Sequence, residues 1–260
     1  MMFPRAAALA ATIVTVACGG GGGFPDAGPT GDAARGGTLS LGWSLVKMAD
    51  GTPISCDQVG ALTVTLVLRN RAMQGGFTEV FSCNTRMGTT PAVPAGTYDV
   101  NFELSGVNGL ISTSAEQRGL VVTAGNTTAL APVTFTVNAI GALDLRIDAL
   151  DAGGNCGGGA GITDVTITLN HASGGACEPV TLSIGGAPYT INCNAPQSVG
   201  CIEKTTAITA TNVPTDNYVI HIRGSAPGKC FVNDDSLRVP PNAMTLTRTL
   251  SLAETATACP

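Results

Sequence analysis

The chain is poor in charge, in aromatic rings and in histidine. Of its 260 residues, 12% are charged and 4% are aromatic, with a single tryptophan and two histidines. A net charge of −5 on so few ionic groups leaves no basic stripe with interleaved aromatics to neutralise phosphates, which excludes a nucleic-acid partner. No CxxC or HxxxH pair occurs, so the usual spacings of thiolate and imidazole metal sites are missing. There is no Gly-x-Ser-x-Gly elbow to raise a serine nucleophile. No apolar run reaches the ~20 residues of a membrane-spanning helix. What the chain does hold is abundant Gly, Thr and Val, a composition that favours strands parted by turns over helices.

The first residues are the most specific. A lone basic residue, Arg5, precedes the apolar or small run Ala6–Ala17, and Thr15-Val16-Ala17-Cys18 leads into five glycines. A charged start, a short apolar stretch and small residues before a cut site define a secretory signal. The segment resembles the lipobox of bacterial lipoproteins, which implies cleavage before Cys18 and acylation of that cysteine. Thr15 stands where Leu is commonest in that pattern. Thr15 and Ala17 also fit ordinary signal peptidase, so simple secretion is the alternative. One acyl chain binds a membrane only marginally, with K on the order of 10⁴ M⁻¹, whereas two or more anchor stably. The resemblance implies more than one chain on Cys18, and Gly19 after it implies the outer membrane. Residues 18–37, mostly Gly, Ala, Pro and Asp, have little to bury and read as a flexible tether.

The rest of the chain repeats itself. Leu39, Leu41, Trp43 and Leu45 recur at every second position, as do Leu143, Leu145 and Ile147 with charges between them. A period of two puts each set on one face of a strand. Each run is followed by a cysteine, Cys56 or Cys156, and then by a second alternating strand: Leu62, Val64, Leu66 and Leu68, or Val165, Ile167 and Leu169. Next come Cys83 or Cys201, and the turns Val93-Pro94-Ala95-Gly96-Thr97-Tyr98 and Val213-Pro214-Thr215-Asp216-Asn217-Tyr218. Proline followed by Gly or Asp-Asn makes a tight turn that delivers each tyrosine into a new strand. Tyr98, Val100, Phe102 and Leu104 then alternate inward, as do Tyr218, Ile220 and Ile222. Val133, Phe135 and Val137 close the first copy, and Met244, Leu246, Leu250 and Leu252 the second. No stretch has the spacing of an amphipathic helix.

The Pro-x-Gly-x-Tyr turn resembles that of prealbumin-like domains, the small Ig-like sandwiches found as carboxypeptidase regulatory-like modules. The layout over residues 37–252 resembles predicted lipoproteins of Gram-negative environmental bacteria such as myxobacteria. The expected fold is all-β: two tandem antiparallel Ig-like β-sandwiches, residues 38–138 and 139–260, behind a signal over 1–17 and a tether over 18–37. The second copy lacks the glycine of the motif and carries cysteine-rich insertions. Sandwiches host many unrelated functions, so the fold names none.

Setting Cys18 aside leaves Cys56, Cys83, Cys156, Cys177, Cys193, Cys201, Cys230 and Cys259. An even set in an exported chain reads as a disulfide framework. Equivalent positions in the repeat suggest Cys56–Cys83 and Cys156–Cys201, which leaves three arrangements of the other four. Cys177 and Cys193 flank an expected hairpin over Pro179–Asn192 with Gly185-Gly186 at its turn. Pairing them leaves Cys230 with Cys259.

Side chains that could do chemistry are few. His221 lies between Ile220 and Ile222, so alternation points it away from the core. His171 follows a strand ending at Asn170 and opens a glycine-rich loop. Both read as surface or loop histidines. Acidic residues gather at Asp144, Asp148 and Asp151 and at Asn233, Asp234 and Asp235. Calcium takes about 6–8 oxygen ligands, but no calcium-loop motif is present, and these groups read as a solvated strand face and the start of a turn. The glycine-rich run Gly153–Gly161 lacks the Lys-Ser/Thr ending and following helix of a phosphate cradle, and reads as a floppy loop tied down by Cys156. Trp43 lies on an inward stripe and reads as core before sugar platform. No catalytic residue, metal or cofactor is expected.

The function expected is that of a non-catalytic, envelope-anchored lipoprotein displaying sandwich modules for binding or scaffolding. Its partners would be the membrane, through lipid on Cys18, and a glycan or envelope protein. The insertions Gly174–Cys193 and Ala226–Asp235 are the places to look, since binding residues concentrate on loops held by rigid scaffolds. The alternatives are an accessory domain of an extracellular enzyme system, a divergent hydrolase, or a plain spacer.

Overall fold

The computed structural model describes residues 36–72, 75–150, 153–255 and 259. Cys18, Asp151, the expected signal and nearly all of the expected tether lie outside the described residues. The first half runs β1 (Gly36–Lys47), a one-turn helix α1 (Cys56–Val59), β2 (Ala61–Asn70), β3 (Gly76–Ser82), β4 (Met87–Thr89), β5 (Val93–Pro94), β6 (Gly96–Gly106), β7 (Gly109–Thr113), β8 (Gln117–Val122), β9 (Thr127–Ala129) and β10 (Val133–Val137). The second runs β11 (Ile140–Asp148), β12 (Asp164–His171), β13 (Thr181–Ile184), β14 (Ala187–Thr190), β15 (Ser198–Gly200), β16 (Ile208–Pro214), β17 (Asn217–Ala226), β18 (Lys229–Arg238), β19 (Thr245–Ser251) and β20 (Ala253–Thr255).

The chain is all-β, and each half is a sandwich of two sheets. In the first, β4, β5, β9 and β10 all pair with β1, facing a sheet ordered β3-β2-β6 with β7 and β8 sharing the other edge of β6. In the second, the sheets run β14-β13-β16-β11-β19 and β15-β12-β17-β18-β20. Pairing is antiparallel except at the closing strands: β1 runs parallel to β9 and β10, and β11 parallel to β19. Alternation looks the same in either strand direction, so nothing in the sequence pattern announces these parallel pairs.

Alternation does decide what is buried. Leu39, Leu41, Trp43, Leu45, Val100, Phe102, Leu104 and Phe135 fill one core, and Leu143, Leu145, Ile147, Ile167, Ile220, Ile222 and Phe231 another. The Trp43 indole N–H, buried among them, donates to the Cys83 carbonyl at 2.9 Å. The two tyrosines after the turns do the same job in each half. Tyr98 donates its hydroxyl to Pro94 O and Tyr218 to Pro214 O, both at 2.9 Å. Each ties the start of a strand to the backbone just upstream, as in the tyrosine corner of Ig-type sandwiches.

Three expectations need correction. Leu62 is 54% exposed, because the pairing of β2 with β6 slips between Ala61 and Thr63; a bulge turns one residue to the other face. Met244 lies outside β19 and is also exposed. Ala226–Asp235 is not an insertion loop: only a tight turn separates β17 from β18, and Asp234 and Asp235 sit within the strand. The single turn α1, too short to carry an amphipathic face, is started by Ser55-Cys56-Asp57-Gln58. Ser55 Oγ accepts from Gln58 N at 3.1 Å and Gln58 Oε1 accepts from Ser55 N at 3.0 Å, a capping box.

Disulfides join Cys56 to Cys83, Cys156 to Cys201, Cys177 to Cys193 and Cys230 to Cys259. The glycine-rich run around Cys156 is pinned by more than its bridge. Asn155 is wholly buried; its Oδ1 accepts from Ala149 N at 3.0 Å, and its Nδ2 donates to Ile147 O and Ile202 O at 2.9 Å each. One side chain thus stitches the loop to the end of β11 and to the residue beside Cys201.

Candidate functional site

The chemistry-bearing side chains of the second sandwich gather where β12 ends. Val165, Ile167 and Leu169 point into the core, so two residues on, His171 falls on the same face at the sandwich mouth. It lies opposite Tyr218 of β17, with ring centroids 4.8 Å apart. His171 Nδ1 lies 2.9 Å from Asp216 Oδ2, and Nε2 lies 2.8 Å from Glu178 Oε2. An acidic oxygen beside each ring nitrogen is an arrangement that favours the doubly protonated imidazolium, in which both nitrogens donate. Burial works against that charge, but the bonds to Asp216 and Glu178 outweigh it, and the His171 pKa is raised above 6.5. Burial, assisted by Glu178 and Asp216, pushes the Tyr218 hydroxyl well up, which keeps it a donor at any ordinary pH.

This cluster ties together three segments: the end of β12, the residue after Cys177, and the turn before β17. Its stability contribution has a sign. A histidine whose folded pKa is raised stabilises fully below its unfolded value and loses that contribution as pH rises through the folded value. The stability advantage of the native chain over His171→Gln is therefore expected to be largest near pH 6 and to shrink above pH 6.5 as the ring deprotonates. Thermal melts of both proteins from pH 6 to 9 measure it. A difference independent of pH would mean that the ring is neutral throughout.

Beside the cluster stands the cysteine-tied insertion. Cys177 and Cys193 are bridged with Cα atoms 5.6 Å apart, and between them β13 and β14 form a hairpin. Its turn residues Gly185 and Gly186 have φ of +57° and +92°, values that glycine adopts without strain. Tyr189 acts as a strut, donating to Gln197 O at 2.6 Å. Asn192 Oδ1 accepts from Asn194 N at 3.0 Å and Ala195 N at 3.3 Å, fixing the loop after the hairpin. Pro179, Thr190, Asn192, Cys193, Asn194 and Gln197 edge an open groove of about 400 Å³.

The other sequence candidates do not join this site. His221 pairs across the sheet with Thr168 and so lies on the opposite face from His171. Its Nδ1 is 2.6 Å from Asp234 Oδ1, and Arg223 Nη2 is 2.8 Å from the same oxygen. Burial raises the Asp234 carboxyl, but the bonds to His221 and Arg223 outweigh it and lower its pKa. Half-exposed pairs of this kind contribute little to stability. Asp148 caps the chain locally, accepting from Leu150 N at 3.1 Å. Among the described residues, no three His, Cys, Asp or Glu side chains are placed to hold a metal ion. Sequence reasoning missed Glu178 and Asp216 as partners of His171. Pairing could not be read because the three come from separate segments; the one available signal was an acid next to Cys177.

No protein-family model matches the chain. No curated protein matches it. Solved structures with similarity to it include the Bacillus anthracis TIE protein, at 14% identity, a TM-score of 0.33, 85% of this chain covered and 34% of that one. The Streptococcal ancillary pilin follows at 13% identity and a TM-score of 0.26, covering 84% of this chain and 62% of the pilin. The fimbrial anchor protein Mfa2 from Porphyromonas gingivalis has 8% identity and a TM-score of 0.29, with 71% and 77% covered. The chain spans about a third of the TIE protein and less than two thirds of the ancillary pilin. Likenesses at these scores carry nothing about its function or partners.

Proposed function

We propose that this chain is a non-catalytic protein of the outer envelope, held by lipid on Cys18, which displays the groove beside the Cys177–Cys193 bridge to a protein partner. The observation that supports this most is that the side chains able to do chemistry are occupied in holding structure. His171 is engaged on both ring nitrogens, His221 is paired with Asp234, and the two lie on opposite sheet faces. Eight cysteines are bridged, so no thiolate nucleophile remains among the described residues. A loop fixed by a disulfide, a tyrosine strut and an Asx turn enters binding with its ordering cost already met. A protein fits the groove better than a glycan does, because Trp43, Tyr98, Tyr189 and Tyr218 are all buried and none offers a face for stacking on a sugar ring.

Changing the exposed Asn194 and Gln197 together to Arg and Glu tests the reading. With the lipid anchor removed by Cys18→Ser, retention of the soluble protein on an envelope fraction is expected to weaken by at least ~tenfold, equivalent to about 1.4 kcal/mol, with the melting temperature unchanged. Undiminished retention contradicts the display reading. Turnover of an extracellular polymer that fails in His171→Ala supports an enzyme instead.

A further inference from the structure

The two sandwiches are joined by just Asn138 and Ala139, between the end of β10 and the start of β11. A short exposed linker normally leaves neighbouring modules free to move. Here the backbone accounting gives a different answer. Four consecutive carbonyls across the join all have partners. Val137 O accepts from Met48 N at 2.8 Å, Asn138 O from Asn242 N at 2.8 Å, Ala139 O from Thr215 N at 2.9 Å and Ile140 O from Ala243 N at 2.8 Å. The first donor belongs to the first sandwich and the other three to the second.

Asn242 also reaches back, donating Nδ2 to Ile111 O of β7 at 2.9 Å. It therefore grips the linker with its backbone and the first sandwich with its side chain. To do so, Asn242 and Ala243 both sit in the left-handed region, at φ of +61° and +55°. Asparagine tolerates that region, but alanine pays a steric penalty there, and such strain persists only where surrounding structure imposes it. The segment before them is stiffened by Pro240 and Pro241 and held by Val239 N donating to Asp216 O at 3.0 Å. A second strut lies alongside. Arg238 Nη1 donates to Asp57 O within α1, at 3.0 Å. Gly60 makes room for it, since a Cβ there would lie 2.8 Å from the guanidinium nitrogen. Between these struts, Val59, Val107, Leu110, Pro241 and Met244 close to a gap of about 20 Å³, space for one water at most.

We infer that this junction is a lock, with Asn242 and Arg238 as its two struts, and that both sandwiches move as one rigid body. The display reading above gives this lock its use, since the turn 215–217 that holds Ala139 is linked through Asp216, His171 and Glu178 to Pro179 at the groove's edge. The lock itself stands on the junction geometry alone. The test is residual dipolar couplings on the full chain, fitted separately to each sandwich. The native protein is expected to give one alignment tensor for both. The double variant Arg238→Ala with Asn242→Gly keeps the backbone amides and the left-handed turn but removes both struts. It is expected to give two tensors of unequal magnitude, while each sandwich still fits its own coordinates. Two tensors in the native protein overturn the inference, whatever the variant does. A single tensor in the double variant overturns the role given to Asn242 and Arg238. Loss of envelope retention by the groove variant in the Cys18→Ser form, with the common tensor intact, would separate the two readings.

Discussion

Replacing Asn155 with Ala is expected to lower the stability of the second sandwich by about 3 kcal/mol, since each buried backbone group stripped of its partner costs roughly 1 kcal/mol or more. The groups affected are Ala149 N, Ile147 O and Ile202 O, all bonded to this one wholly buried side chain. Asn155→Asp keeps the size and is expected to be equally damaging. A carboxylate cannot donate to the Ile147 and Ile202 carbonyls, and its charge would be buried against them. Urea unfolding followed by far-UV circular dichroism measures both, with a lower midpoint at unchanged slope as the expected result. Trp43 lies in the other core, so its fluorescence transition is expected to move less. A midpoint equal to that of the native chain would mean that the loop can repack without Asn155.

The second large effect concerns the first sandwich. Removing the Cys56–Cys83 bridge, whose cysteines are 27 residues apart, is expected to cost about 3–4 kcal/mol through the freedom regained by the unfolded chain. Both sulfurs lie in a core where neither cysteine is accessible to solvent. The bridge also holds the Cys83 carbonyl against the Trp43 indole at 2.9 Å. The Cys56→Ala, Cys83→Ala double variant is therefore expected to unfold at lower urea and to shift the Trp43 emission to the red even before unfolding. An unchanged transition and spectrum would show that packing alone fixes this corner.

Much of the fold was legible because a half-buried strand writes its inward face at every second position, and both copies keep that pattern beside matching cysteines and turns. Leu62 escaped because one inserted residue reverses a face without altering composition. The run Lys229–Arg238 escaped because Asn233, Asp234 and Asp235 look like a turn, while pairing with β17 along its whole length makes them a strand. The closing strands β10 and β19 were legible, but their parallel pairing escaped because strand partners are set by chain crossing and not by local spacing. At the candidate site, the hairpin between Cys177 and Cys193 followed from its glycines. The His171 cluster did not, since Glu178 and Asp216 meet the ring only through tertiary structure. Asn155 gave no signal at all: an asparagine among glycines looks like loop until the carbonyls it serves are located.

The central claim is an exported chain whose chemistry-bearing side chains are structural and whose groove is bordered by the Cys177–Cys193 bridge. The most direct test is the intact mass of the native chain isolated from the cell envelope, alkylated before and after reduction. The account predicts an acylated N-terminus at Cys18, no alkylation before reduction, and alkylation of all eight cysteines of the sandwiches after it. A soluble, unacylated chain, or one whose sandwich cysteines alkylate without reduction, would contradict it.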